Sequence, residues 1–484
     1  MTKLPADEVV DQGIRTRVIF DISTLSRWAG PAIGIIRVER ELARWASQHV
    51  EHAVFAFFDP QRGAYRTVKS EWVASLIDGT VSINRWALFN TKARRHKSDL
   101  IPQGIRRVAM WLLQFRRSAL FLLERMRPGT HPAVREIAGR IQQALITEKY
   151  RPYFFNADGT RRTILEPEIF LGPEVEFNSP DTLVCVGSPW EYSDIHSIKS
   201  LKDRRGFRFV AMCHDIIPLQ FPCFYKQSDV IAFRQYYDEA FPLADLVVFI
   251  ARTTERDALA YCKKHHIKIN NTCIVPPGAD AAVPKPGLNT ALPPGLQRGQ
   301  YALLVSTVEP RKGHQMIYNV WLRLLAEGVP QKKAFKLVFA GRPGWNVNKL
   351  IRQLKDDARL GGSFQLLTSM DDDQLAALYE GAAFCLYPSV YEGYGLPVVE
   401  AFFRQKALLA STGGAIPEVV GGFSPCLDPH DESQWYSMLK LWILDPAARV
   451  PYETAIRSRF RPTSWGASAQ QFFQIIETDV RVGR

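Results

Sequence analysis

The 484-residue chain reads as an α/β protein of two doubly wound halves facing a common cleft. Two observations predict this. Short apolar runs alternate with helical patterns along most of its length, the order expected of parallel sheets covered by helices on both faces. A Pro/Gly-rich joint at 284–299 divides two such series, as an interdomain linker would. No solenoid repeat or low-complexity tract interrupts the pattern.

Taken in order, the strands of the first half fall at 18–22, 54–58, 183–187, 207–213, 246–250 and 273–275. Those of the second half fall at 302–306, 336–340, 364–367, 383–387 and 407–410. The expected divisions are an N-terminal domain over 1–290, a C-terminal domain over 298–460, and a tail over 461–484 whose last helix, from about 465 to 478, is expected to pack back on the N-terminal domain. Residues from about 60 to 180 fall outside the alternation and read as an insertion with its own role. In such sheets the strands deliver their C-terminal ends to the crevice where ligands bind, so the loops after strands are where chemistry is expected.

Composition narrows the class. An apolar content of 46% is ordinary for a globular protein, and 484 residues suffice for two large domains. The segment 1–13 is polar, so no secretory signal is expected. No apolar stretch reaches spanning length, which argues against a transmembrane helix. The seven cysteines are scattered, with no Cys-x-x-Cys pair. That favours buried thiols in a reducing cytoplasm over a disulfide framework or a zinc site. The net charge of +12 is uneven: 92–127 carries ten Lys and Arg against Asp99 and Glu124, a surplus of eight. In that basic insertion, apolar residues such as Trp111, Phe115 and Leu120 are interleaved with arginines. Such a segment suits a helix lying on an anionic membrane surface, and equally an amphipathic helix packed on its own domain. Nucleic acid is not expected as a partner, since no binding module is present.

The most informative stretch is 387–400. An apolar strand runs into a glycine-containing turn and then a short helix that Pro397 is placed to open. This aims the free amides of Gly393–Leu396 and the positive helix end at one point, a site for an anion. Glu392 lies in the turn, and Glu400 sits one turn into an otherwise apolar helix. A carboxylate there needs hydrogen-bonding partners, and sugar hydroxyls supply them. By spacing alone, a dipole-complementing glutamate is the simpler reading.

The residues Glu392-Gly393-Tyr394-Gly395-Leu396-Pro397-Val398-Val399-Glu400 resemble the signature loop of the retaining glycosyltransferases of family 4. Their fold is GT-B, two Rossmann-like domains facing an interdomain cleft. Three more segments resemble the family in the same order: the glycine-rich loop from Gly30 to Glu39, the His-containing loop His214–Leu219, and the phosphate-binding segment Ser306–Gly313. The resemblance implies catalytic roles for Glu392, His214 and Lys312. Lys312 and Arg311 would neutralise the donor diphosphate, with Thr307 in the same segment. Gly393, Tyr394, Gly395 and Leu396 would hold sugar and β-phosphate through their amides, Glu400 the ribose hydroxyls, and Gly34 a backbone approach to the diphosphate or the acceptor. Some relatives carry an additional Arg where Ser306 stands, so part of the phosphate clamp must come from elsewhere. Without the resemblance, Arg311-Lys312 reads as a solvated turn and His214 as a local hydrogen-bonding residue. Thr368–Asp373 resembles the family's nucleobase contact and reads equally as a helix N-cap. The segment Thr412–Glu418 is expected to be structural.

The expected function is a retaining, metal-independent transferase that needs no cofactor and moves a sugar from a nucleotide donor to a glycan or lipid-linked oligosaccharide. GDP-mannose is the first expectation, by resemblance to bacterial mannosyl- and rhamnosyltransferases of surface polysaccharides, with dTDP-rhamnose or a UDP-sugar as alternatives. The place expected is the cytoplasm, peripheral on the inner membrane. A sugar epimerase and a non-catalytic GT-B scaffold at the membrane are the other readings.

Overall fold

The computed structural model describes residues 16–28, 30, 32–84, 155, 162–280, 291–368 and 370–482. The basic stretch 92–127, the segment 1–13 and the first part of the joint, 284–290, lie outside the described residues.

The N-terminal strands are β1 (Val18–Asp21), β2 (Ala53–Asp59), β3 (Ala64–Val68), β4 (Val81–Ile83), β5 (Thr163–Leu165), β6 (Leu171–Glu174), β7 (Thr182–Cys185), β8 (Arg208–Cys213), β9 (Leu246–Phe249) and β10 (Thr272–Ile274). Eight of them form one sheet in the order β10-β9-β8-β7-β1-β2-β3-β6, while β4 and β5 pair separately. The stretch from β10 to β2 is parallel. Beyond β2 the pairing is antiparallel, β3 to β2 and the edge strand β6 to β3. This corrects one expectation: parts of the segment assigned to an insertion, 64–68 and 171–174, are the last two strands of the first domain's sheet. Their sequences, Ala-Tyr-Arg-Thr-Val and Leu-Gly-Pro-Glu, mix exposed and buried positions. They therefore lack the continuous apolar run of a parallel strand covered on both faces.

The C-terminal sheet holds β11 (Tyr301–Val305), β12 (Lys336–Ala340), β13 (Phe364–Leu367), β14 (Phe384–Tyr387), β15 (Leu408–Ser411) and β16 (Cys426–Leu427). All pair in parallel, in the order β13-β12-β11-β14-β15-β16. The order reverses between β11 and β14, and in the first sheet between β1 and β7. Such switch points open a crevice at the carboxyl ends of the strands. The loops after β1, β11 and β14 carry three of the four expected motifs, and His214 follows β8.

The helices include α1 (Ile35–His49), α2 (Gln227–Leu243), α3 (Arg252–His265), α4 (His314–Ala326), α5 (Asp372–Gly381), α6 (Leu396–Phe403), α7 (Ile416–Val420) and α8 (Trp465–Val482). Helix α1 buries Ile36, Val38, Leu42, Ala43 and Ala46 at helical spacing. Helix α8 returns to the first domain, where Trp465, Ala469, Phe472, Phe473 and Ile476 join the core around Phe20. Phe473 stacks on Trp45 of α1 with centroids 5.1 Å apart, and Arg208 donates to the carbonyl of Ile476 at 2.7 Å.

Candidate active site

Two loops of the C-terminal domain meet at its switch point. After β11 the chain makes one 3-10 turn, Pro310–Lys312, and passes through Gly313 into α4. Gly313 has φ 74°, and a Cβ there would lie 2.3 Å from the Pro388 carbonyl oxygen, so only glycine lets the two loops touch. That contact brings Arg311 and Lys312 to Glu392. Lys312 Nζ lies 2.6 Å from Glu392 Oε1, and Arg311 Nη1 lies 2.8 Å from Oε2. Arg311 also bonds Glu309 at 2.8 Å and the Tyr391 carbonyl.

Arg311 and Glu392 are both buried, with 8% and 6% exposure. Burial pushes the Glu392 carboxyl up, but the opposing fields of Arg311 and Lys312 win and hold its pKa at about 2. Glu392 is therefore an anion at any working pH. Glu309 and Asp215 go the other way: burial raises both, against the pull of the same two cations.

The N-terminal domain closes on this cluster through the loop after β8. A Cβ on Gly393 would stand 2.5 Å from the carbonyl oxygen of His214 and 2.8 Å from Asp215 Cβ. The expected donor-binding loop and the His loop thus touch across the cleft. Tyr394 and Leu396 pack against the N-terminal core. Gly395 caps α6 at φ 106°. The His214 ring, 4% exposed, bonds the Val186 carbonyl through Nε2 at 2.7 Å. A carbonyl only accepts, so Nε2 carries the proton and Nδ1 keeps its lone pair. Burial lowers the His214 pKa to about 4, partly offset by that bond, so the ring is neutral near pH 7. Asp215 accepts from the amide of Ile217 at 2.9 Å and starts the turn.

Glu400 occupies a separate place. Its Oε1 takes Arg37 Nη1 at 2.9 Å, and Tyr379 donates to Oε2 at 3.0 Å. Arg37 comes from the first turn of α1, immediately after Gly34, whose φ of 53° and ψ of −126° suit glycine. The carboxylate assigned to ribose is thus clasped from the opposite domain. It lines a pocket with Arg37, Asp372, Leu375, Tyr379 and Arg404. Thr307 packs so closely on Gly344 that a Cβ there would lie 3.0 Å from its Cγ2. Asp371 caps α5 by accepting from the Gln374 amide at 2.7 Å, while the Gln374 side chain accepts in return at 3.2 Å. Glu418, in the segment expected to be structural, caps α3 of the other domain through the amides of Arg252 and Thr253 at 2.9 and 3.0 Å.

The structure therefore brings together Glu392, Lys312, Arg311, Gly393 and His214, sets Glu400 in a second pocket with Arg37, and leaves Gly34 as the cap of the helix that carries Arg37. Sequence reasoning gave no role to Arg37, Tyr379 or Glu309. Arg37 lay inside a quoted motif, but nothing local signals a partner 363 residues away. Among the described residues no cluster of three or more metal-binding side chains occurs, and no helix is long and apolar enough to cross a membrane.

Residues 296–459 match the family Glycosyl transferases group 1. Over 205 residues the chain is 30% identical to the serotype-specific mannosyltransferase WbdA of Escherichia coli, covering 40% of this chain and 24% of that protein. Over 210 residues it is 34% identical to the MMP alpha-(1->4)-mannosyltransferase of Mycolicibacterium hassiacum, covering 42% and 47%. The chain thus spans between a quarter and a half of the length of these relatives. The solved structure of HepE from Anabaena, in complex with UDP and glucose, superposes with a TM-score of 0.55 over 96% of this chain and 100% of its own, at 12% identity. That likeness is one of fold, and with the two switch-point sheets it makes the architecture GT-B.

Proposed function

We propose that the chain is a retaining glycosyltransferase acting on a nucleotide sugar, a reading supported by the match of residues 296–459 to the family Glycosyl transferases group 1. The observation that carries the proposal is the Lys312–Glu392–Arg311 cluster just before α6, with the His214 carbonyl packed against Gly393. Departure of a nucleoside diphosphate builds negative charge on the β-phosphate. Lys312 and the amides of Gly393–Leu396 are positioned to stabilise it in a site shielded from water. Arg311, engaged with Glu309 and Glu392, keeps the carboxylate anionic and fixed. Glu392 then accepts from the sugar hydroxyls and faces the developing oxocarbenium charge. The neutral His214 ring offers Nδ1 as an acceptor to the same sugar from across the cleft. As the bond from the sugar's anomeric carbon to the β-phosphate oxygen breaks, the acceptor oxygen bonds that carbon on the same face and the departing phosphate takes the acceptor's proton, so no side chain need act as a base and the α-configuration is retained.

The names of the relatives support mannose as the sugar, and hence GDP-mannose as the first donor. The acceptor class proposed is a glycan or lipid-linked oligosaccharide at the cytoplasmic face of the membrane. The leaving charge is balanced by Lys312 and backbone dipoles, so the reaction proposed is metal-independent. The test is transfer from GDP-mannose to an oligosaccharide acceptor, with the product anomer read by NMR, with and without EDTA. An α-linked product formed at the same rate with chelator is expected. A β-linked product, or loss of activity reversed by Mn²⁺, would contradict the proposal.

A further inference from the structure

Beside the cleft, the loop after the His motif and the outer face of α2 form a groove that the donor chemistry does not use. One aromatic ring, Tyr225, lines it. Tyr225 packs on Trp345 of the C-terminal domain with ring centroids 5.6 Å apart. Trp345 Nε1 donates to the Phe224 carbonyl at 2.6 Å, and Phe221 packs on Tyr391 at 5.0 Å. The C-terminal domain thus braces the Tyr225 ring and the loop that carries it. On the other side α2 buries Val230, Phe233, Tyr236 and Tyr237. It turns Gln227, Ile231, Arg234 and Gln235 outward into the groove. These four recur at helical spacing, so they make one stripe. Ile231 is 48% exposed. Among the described residues, the polar ends of Gln227, Arg234 and Gln235 have no hydrogen-bond partner.

We propose that this groove is the acceptor subsite and that it takes a saccharide chain. The inference rests on the glycosyltransferase reading and specifies where its second substrate lies. A sugar ring has an apolar face of C–H groups and a rim of hydroxyls that both donate and accept. The Tyr225 ring and Ile231 match the face. The Gln227 and Gln235 amides, each with donor and acceptor atoms, and the Arg234 donors match the rim. Placement fits as well, since Tyr225 lies within electrostatic reach of Arg311, Asp215, Glu309 and Glu392. A chain seated on α2 would thus present its end to the bond being broken.

The experiment uses the full-length protein in the presence of GDP or UDP, probed on an array of bacterial and mannose-containing oligosaccharides. The strongest binder is then measured by calorimetry against Gln235→Ala, Gln227→Ala and Ile231→Arg. Loss of two or three weak contacts predicts roughly tenfold weaker saccharide binding, with nucleotide affinity and melting temperature unchanged. Gln227→Ala, at an exposed first-turn position, guards against a variant that fails to fold. Saccharide binding equal in all three variants would overturn the subsite. So would a protein that binds nucleotide and no oligosaccharide. A protein that binds neither would overturn the glycosyltransferase reading with it.

Discussion

His214 shows how a single residue ties fold to function. The ring is buried and neutral, with its pKa lowered from 6.5 to about 4 chiefly by desolvation. Its contribution to stability is complete above pH 6.5. As pH falls the unfolded chain takes up the proton first, so the contribution drains until the folded pKa near 4 is reached. Denaturant titrations at pH 7 and pH 5 should show the unaltered protein losing about 2 kcal/mol more than His214→Gln between the two. Equal losses would mean that the ring is solvated. The residue scale is also where sequence reading stops. Glu392, Lys312 and His214 were legible because each lies in a local motif with a recognisable shape. The Arg37–Glu400 pair was not, because it depends on how the two domains meet.

At the scale of elements, the site is made by close approaches that glycines permit. Gly393 lets the α6 loop rest on the His214 carbonyl, where an added Cβ would stand 2.5 Å away. Gly393→Ala should therefore push the donor loop and the His loop apart. A displacement of this size lowers kcat/KM by about 10²-fold when reacting groups are held in position, and steady-state kinetics with the best donor would read it. Activity within error of the unaltered protein would show that the cleft closes differently during turnover. The parallel strands were readable because helices cover them on both faces and their sequences are continuous apolar runs, such as Leu-Val-Val-Phe in β9. Strands β3 and β6, at the antiparallel end of the sheet, were not, since their sequences interrupt the apolar run with polar residues. Their real signal is the pairing between 64–68 and 171–174, which no local pattern encodes.

Across the whole molecule, the chain crosses between domains and is fastened at several points. Glu418 caps α3 from the opposite side, Arg37 clasps Glu400, and α8 returns to complete the first core. Phe473 is 2% exposed and packed on Trp45 and Phe20. Truncating it to Ala should cost about 3–5 kcal/mol, read as an earlier unfolding transition of the N-terminal domain in calorimetry. A change confined to the C-terminal transition would place α8 elsewhere.

The central claim is that Glu392, held anionic by Lys312 and Arg311, anchors the donor sugar during transfer. The direct measurement is nucleotide release from GDP-mannose, dTDP-rhamnose, UDP-glucose and UDP-N-acetylglucosamine by the unaltered protein and by Glu392→Gln, with acceptor present. Glutamine keeps the shape and removes the charge. The account predicts release from one donor, reduced by about 10²–10³ in Glu392→Gln, with nucleotide still bound. Equal release by the two proteins, or none from any donor in folded protein that binds a nucleotide, would contradict it.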